Sequence, residues 1–281
     1  MGNIRNHAKL SSIESIKQLK GCCKKGSKAQ GLHQLKLYLA RFGYLNYQNT
    51  PDHANIEDDK FDDELEAALK SYQKYYHLNV TGTLDGPTVS QMGMPRCGLP
   101  DKRTYMHGSK SSHIVPRFSF FPLSPTWPPG KSHLTYAFPS NYPNHHVYPV
   151  ERALKQWAVA THYFTFSRTT DFKHANLKIS FEKREHGDTN FDGPGHVLAH
   201  AFAPTDGRLH FDLAENWSDG PRPMPMKMDV ETVAAHEIGH LLGLEHSKDP
   251  NALMWPTVRK GVKRGLNADD IKGIKTLYKL K

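Results

Sequence analysis

The segment HEIGHLLGLEH, residues 236–246, decides how this chain folds and what it does. It lies in a stretch whose periodicity is helical. Four residues advance a helix by about 400°, so His236 and His240 lie on one face, one turn apart. Gly243 is placed where the helix must end and the chain turn back. His246 then supplies a third imidazole.

Three neutral imidazoles form a typical catalytic zinc site, because they leave a fourth tetrahedral position open for water. Zinc lowers the pKa of that water toward neutrality. Glu237 follows the first histidine and is placed to accept the water proton and return it to a leaving amine. Met254, in ALMWPT, completes the metzincin protease signature. A helix that carries histidines by chance is the weaker interpretation.

The periodicity of the remaining chain predicts two domains. Helical spacing of apolar residues predicts helices over 29–44 and 61–76, with a short helix from Pro87. Beyond them, strands are predicted at LTYAF, LKISFEK, HVLAHAFAP and RLHFDLA, and helices over 149–161, 229–244 and 267–280. Asp229 is a suitable N-cap for the helix that carries the histidines.

The composition excludes several classes of protein. The hydrophobic share of 37% and charged share of 23% over 281 residues are typical of a globular chain, and no apolar run is long enough to span a bilayer. The net charge is +9, but the basic residues are scattered, so nucleic acid is not an expected partner. Adjacent cysteines rarely meet disulfide geometry, so Cys22 and Cys23 are not expected to pair, and their role stays open.

The zinc motif, with Ser247 directly after the third histidine, resembles the matrix metalloproteinases, the matrixins of the metzincin superfamily. LKGC, YLARFGYL and the lack of a hemopexin-like domain after the last helix are most similar to the plant members. The resemblance implies an α+β fold: a small helical propeptide, similar to three-helix peptidoglycan-binding modules, and a metzincin domain with a twisted, mostly parallel sheet and an active-site helix. The implied divisions are an N-terminal segment 1–28, a propeptide 29–101, an activation linker 102–117 and a catalytic domain 118–281.

The stretch PRCGLPD, residues 95–101, resembles the cysteine switch of the latent enzymes in this family. The resemblance implies that the Cys97 thiolate occupies the fourth zinc position and excludes water, while Arg96 and Asp101 pair to hold the loop. The implied function is a zinc endopeptidase made as a latent zymogen, which hydrolyses extracellular matrix or cell-surface proteins once Cys97 leaves and Glu237 activates the water.

The resemblance also implies metal sites and supporting acids before and after the zinc helix. A closed structural zinc site would use His186, Asp188, His200 and His210. A calcium site would use Asp192, Gly193, Gly195, Val197, Asp212 and Glu215, with the glycines and valine giving backbone carbonyls. Two zinc ions and calcium are therefore the expected cofactors. Asp269 and Asp270 suit a helix N-terminus; the resemblance adds that one pairs with the new terminal ammonium after activation and the other supports the Met-turn.

The expected partners are protein or peptide substrates and an activating protease, and the expected state is a monomer. The resemblance implies an extracellular or cell-surface location, although the N-terminus shows no signal peptide. No hydrophobic tail follows Lys281, so a lipid anchor is not expected. Val258 stands where many animal relatives carry a tyrosine in the specificity pocket, so their substrate preferences do not transfer. The alternative interpretation is a wall-polymer-binding protein with a structural or vestigial metal site. Glu237 argues against it, because a structural zinc needs no adjacent base.

Overall fold

The structure, a computed structural model, describes residues 12–47, 56–103 and 117–281. Residues 1–11 of the N-terminal segment and most of the expected activation linker lie outside them. The described residues form two compact units. The first contains the chain up to residue 93 together with 102–103, and the second contains 94–101 and everything from residue 117. The PRCGLPD segment thus groups with the second unit rather than with the helical one.

The first unit is helical, as the apolar periodicity predicted. Its helices are α1 Ser12–Gln18, α2 Leu32–Arg41, α3 Asp63–Tyr75 and α4 Gly86–Met92. The Asp62 side chain caps α3 by accepting from Leu65 N, and the Asp85 side chain caps α4 by accepting from Thr88 N. Helix α1 was not predicted, because its seven residues are too few to show a clear helical periodicity.

The expectation that Cys22 and Cys23 stay unpaired is wrong in this structure, which joins them in a vicinal disulfide. The two residues lie in a turn after α1, where Gly21 has a φ of 75° and Cys23 a φ of 76°. These left-handed conformations are rare for a residue with a side chain. The left-handed backbone at Cys23 is a local conformation that the sequence does not reveal.

A six-stranded sheet forms the centre of the second unit. The strands of this unit are β1 Arg96–Cys97, β2 Ser119–Phe120, β3 His133–Ala137, β4 Thr165–Arg168, β5 Leu177–Glu182, β6 Val197–Ala201, β7 Arg208–Asp212, β8 Trp217–Ser218, β9 Met228–Asp229 and β10 Leu244–Glu245. The sheet order is β1-β6-β7-β5-β3-β4, and only the β6–β7 pair within it is antiparallel. The expected mostly parallel sheet is therefore confirmed.

Three helices complete this unit: α5 Val147–Thr161, which follows a short 3₁₀ helix Asn144–His146, α6 Val230–Leu241 and α7 Ala268–Leu277. Helices α5 and α6 contact the sheet, and α7 packs against α5 and β10. The fully buried Trp157 joins α5 to α6 by donating from its indole nitrogen to Ala235 O over 2.8 Å. Asp229 caps α6 as predicted, accepting from Thr232 N over 2.8 Å. Within the described ranges, no helix combines the length and the apolar character that crossing a membrane requires.

Candidate functional site

Helix α6 and the turn after it place three buried histidines around one point. The Nε2 atoms of His236 and His240 are 3.1 Å apart. Gly243 takes a φ of 104° and turns the chain through β10, which carries His246 back to the other two. The ring centroids of the three histidines lie 4.8, 5.3 and 5.0 Å apart. The predicted triad is thus brought together.

Backbone carbonyls fix the orientation of two of these rings. His236 Nδ1 donates to Leu253 O, and His240 Nδ1 donates to Leu244 O, each over 2.7 Å. A carbonyl can only accept, so each Nε2 is left as the ligand atom, which is the usual arrangement around a metal-binding histidine. Burial, followed by the charge of His246, lowers the pKa of His236 to about 3. The ring is therefore neutral at pH 7, as a metal ligand must be.

The Cys97 thiol reaches the same point. Its Sγ lies 3.5 Å from His240 Nε2, and the sulfur and one nitrogen from each histidine all lie within 4.8 Å of one another. Strand β1 holds the cysteine in place, because Cys97 N donates to Pro256 O over 2.9 Å and Gly98 N donates to Ala199 O over 2.8 Å. One sulfur and three imidazole nitrogens suit a closed tetrahedral zinc site.

A buried ion pair links the cysteine loop to the third histidine. The Arg96 guanidinium contacts both Asp101 oxygens, at 2.6 and 3.2 Å, which is the strong bidentate geometry. Asp101 Oδ1 also lies 3.0 Å from His246 Nδ1. Burial acts to raise the pKa of Asp101, but Arg96 and His246 hold it well below its ordinary value. The sequence indicated the ion pair but not its contact with His246.

Glu237 lies beside this cluster and is completely buried. Burial raises its pKa to about 8, against the effect of the Cys97 thiol. Glu237 and Cys97 both line a small cavity that Val258 also borders. Met254 packs beneath α6: a Cβ at Gly239 would lie 3.0 Å from Met254 Cε and from Trp157 Cζ2. Nothing in the sequence indicates that residue 239 must be a glycine for this packing.

Residues 126–279 match the family described as Matrixin. This chain is a matrixin. It is 42% identical over 261 residues to metalloendoproteinase 1 of Glycine max, covering 90% of this chain and 83% of the relative. It is 41% identical over 286 residues to metalloendoproteinase 5-MMP of Arabidopsis thaliana, with coverages of 97% and 77%. Human matrilysin is 38% identical over 257 residues, with coverages of 87% and 84%.

These relationships establish the enzyme class of the matrixin. It is a zinc metalloendopeptidase, so the expected fold and enzyme class are confirmed. Residues 28–92 match a peptidoglycan-binding domain family, which agrees with the helical module expected at the N-terminus.

A second histidine cluster of the matrixin is built across two antiparallel strands. His200 on β6 lies directly opposite His210 on β7, so both imidazoles project from the same face of the sheet. Asp188 Oδ1 is 2.7 Å from His186 Nε2 and 3.0 Å from His200 Nε2, and its Oδ2 is 3.2 Å from His210 Nδ1. Burial lowers the pKa of His200 to about 4 and also lowers that of His210. Three imidazoles and a carboxylate suit a closed zinc site.

The expected calcium ligands lie around the loop before β6 and the turn after β7. Asp212 Oδ2 is buried and has no hydrogen-bond partner among the described residues. Burial, and then neighbouring carboxylates, raise the pKa of Asp212 and Glu215. Crowded carboxylates of this kind suit a hard cation. The carboxylates of this set do not, however, converge within 4.8 Å as both histidine clusters do, and Asp192 Oδ2 instead contacts His196 Nδ1 at 2.6 Å.

The two acids at the start of α7 have different partners. Asp270 is fully buried and accepts from Leu253 N at 2.8 Å and Met254 N at 3.0 Å, and so bonds the turn that contains the methionine. Asp269 is partly exposed and accepts from Ser247 Oγ over 2.7 Å. Both also belong to the cap of α7 through Asn267.

Proposed function

We propose that this matrixin is synthesised as a latent zymogen in which Cys97 blocks the catalytic zinc. The observation that carries the proposal is the 3.5 Å separation of Cys97 Sγ from His240 Nε2 inside a cluster that also holds His236 and His246. The cysteine is 5% exposed, so a substrate carbonyl and Cys97 compete for one space. Burial raises the pKa of the Cys97 thiol, and a bound zinc ion offsets this because it favours the thiolate.

In the active enzyme, His236, His240 and His246 hold the zinc, which when bound supplies a Lewis acid for water and for the scissile carbonyl. Glu237 accepts the water proton and returns it to the leaving amine. A carboxylate placed in this way can carry a proton between two reacting groups. The cavity beside Glu237 and Val258 takes the substrate side chain next to the scissile bond.

The remaining assignments support this role. His186, Asp188, His200 and His210 hold a second, structural zinc ion. The calcium set around Asp212 and Glu215 holds the loops that flank β6 and β7. Residues 29–101 form the propeptide, 102–117 the activation linker and 118–281 the catalytic domain. A separate protease cuts the linker, and the enzyme then works as a monomer on matrix or cell-surface proteins outside the cell.

The experiment is to convert Cys97 to serine in the intact chain. A neutral hydroxyl is a poor zinc ligand, so Cys97→Ser should hydrolyse a peptide without any cleavage of the chain, checked on a gel. A thiol-modifying reagent should activate the parent chain in the same way. The Cys22→Ser/Cys23→Ser double variant is the control and should stay latent. Cutting the linker should also activate, because Cys97 then binds only as a separate fragment.

If the intact Cys97→Ser chain stays latent while linker cleavage activates it, the thiol is not the blocking group. Latency would then come from the bulk of the propeptide over the cleft.

A further inference from the structure

A third group of metal-binding side chains lies away from both histidine clusters. The 3₁₀ helix before α5 carries His145 and His146, whose ring centroids are 4.0 Å apart. Asp219 follows β8, and its Oδ2 lies 3.8 Å from His146 Nδ1. One potential ligand atom from each of the three residues lies within 4.8 Å of the others. Nothing in the sequence connects the adjacent histidines to Asp219, so this group was not predicted.

The buried histidine of this group lacks a hydrogen-bond partner. His146 is 6% exposed, its ring stacks on Phe181 with centroids 4.9 Å apart, and its Nδ1 accepts or donates no bond among the described residues. Leaving such a group unsatisfied costs about 1–3 kcal/mol. That nitrogen can instead offer a lone pair to a metal ion.

The three side chains also share an open space. His145, His146 and Asp219 all line one open cleft. Two ligands about 2.1 Å from a tetrahedral zinc ion lie about 3.4 Å apart, so the 3.8 Å between His146 Nδ1 and Asp219 Oδ2 needs only a small side-chain adjustment. Lys227 also lines the cleft and opposes a cation, while Glu215 has the opposite effect.

We propose that His145, His146 and Asp219 form a third metal site, which takes a divalent transition-metal ion of the zinc class. Two imidazoles and one carboxylate favour zinc, cobalt or copper over calcium, which prefers oxygen ligands throughout. His145 is exposed and the Asp219 side chain is 38% exposed. Water therefore completes the coordination, and the ion exchanges with the solution.

The proposed ion connects two parts of the catalytic unit. Asp219 O already accepts from Arg152 Nη2 over 3.3 Å, and Arg152 Nε donates to Glu231 Oε2 over 2.6 Å in the first turn of α6. An ion held by Asp219 and the two histidines joins the start of α5 to the chain that leads into α6. Because the unfolded chain does not assemble the three ligands, binding raises thermal stability by mass action.

The test uses the full chain, dialysed after purification in zinc and calcium so that tightly held ions stay bound. Calorimetric titration with Zn²⁺ should then show that the chain binds one further equivalent of zinc. A thermal melt at saturating Zn²⁺ should show a higher Tm than a melt without added zinc. Changing groups that only support a metal ligand costs about 10–100-fold in affinity, so His145→Ala and Asp219→Asn, which remove direct ligands, should each weaken this step at least tenfold. Both variants keep the buried His146 itself, and circular dichroism checks that each variant is folded at the titration temperature.

The matched control is His174→Ala. His174 is an exposed histidine 2.8 Å from Asp171 that has no second imidazole in its pair, so its loss should leave the extra zinc step unchanged. The proposal is overturned if the parent chain takes up no zinc beyond its retained content. It is equally overturned if both site variants bind like the parent, or if His174→Ala weakens binding as much as they do.

Discussion

Glu237 is the residue on which the proposed chemistry depends. The change Glu237→Gln keeps the size and shape of a fully buried side chain but replaces a base with an amide that cannot accept the water proton. Loss of a general base typically lowers the rate about 10²–10⁴-fold. We expect that loss in kcat of the activated enzyme, with unchanged zinc content by metal analysis. The exposed Glu185→Gln serves as the control, and a parental rate in activated Glu237→Gln would exclude this residue as the base.

Asp101 is the residue that connects the cysteine loop to a zinc ligand. Its folded-state pKa is depressed, so its contribution to stability is complete above the unfolded value of about 3.9 and is lost as the pH falls through the lower folded value. Asp101→Asn removes the carboxylate that joins the Cys97 loop to His246. The intact variant should therefore be measurably active at pH 7. Its deficit in unfolding free energy against the parent should be constant above about pH 5 and shrink in stronger acid.

The control for this prediction is Asp206→Asn, which removes a surface pair with Arg208 and should leave latency intact. A fully latent Asp101→Asn chain would show that the hydrogen bonds of β1 hold Cys97 without the ion pair.

For single residues, a contact can be predicted from the sequence where one helix sets the geometry. His236 and His240 are neighbours because of helical periodicity alone, so their spacing in the sequence predicts their contact. The contact between Asp101 and His246 depends instead on where β1 docks in the sheet. No local pattern encodes that docking.

Among the elements, those with several turns or several alternating residues are predictable. The helix expected over 229–244 is observed as Val230–Leu241, within the usual uncertainty of helix ends. Strand β4 was missed, although it contributes the sheet edge beside β3. Strand β1 has two residues, too few to show a period, and its pairing with β6 is set by the tertiary structure. Such short strands nevertheless position the candidate site.

The turn that contains Met254 depends on one buried carboxylate at the start of α7. Asp270 accepts from three backbone N–H groups, those of Leu253, Met254 and Asn267. Asp270→Ala leaves buried donors unsatisfied, at about 1–3 kcal/mol for each group. We expect a loss of several kcal/mol in the unfolding free energy of the mature catalytic domain, measured by denaturant titration. Asp269→Ala removes a more exposed acceptor and should lower the unfolding free energy by less. Equal losses for the two variants would mean that both acids act only as caps.

At the scale of the whole molecule, the proposed cleavage of the linker creates a terminus that the uncut chain lacks. Phe118 is buried against α7, since a Cβ at Gly273 would lie 3.1 Å from Phe118 Cβ. Cleavage before Phe118 therefore leaves an ammonium near the helix that carries Asp269. In the latent chain, Asp269 accepts from Ser247 Oγ, and Ser247 directly follows the third zinc histidine. An ammonium that binds Asp269 is thus coupled to the zinc centre through Ser247.

This coupling predicts that the effect of Asp269→Asn depends on where the mature chain begins. A hydrogen bond to a charged group contributes about 1.5–3 kcal/mol, so Asp269→Asn should lower kcat/KM about tenfold or more in a form that begins at Phe118. Forms that begin several residues earlier, or at Phe120, cannot place the ammonium there and should show little change. Asp249→Asn is the control, because Asp249 lies 3.4 Å from Arg117, a residue absent from the Phe118 form. Equal losses for Asp269→Asn in all three forms would mean that Asp269 acts through Ser247 alone and that the new terminus has no part in activation.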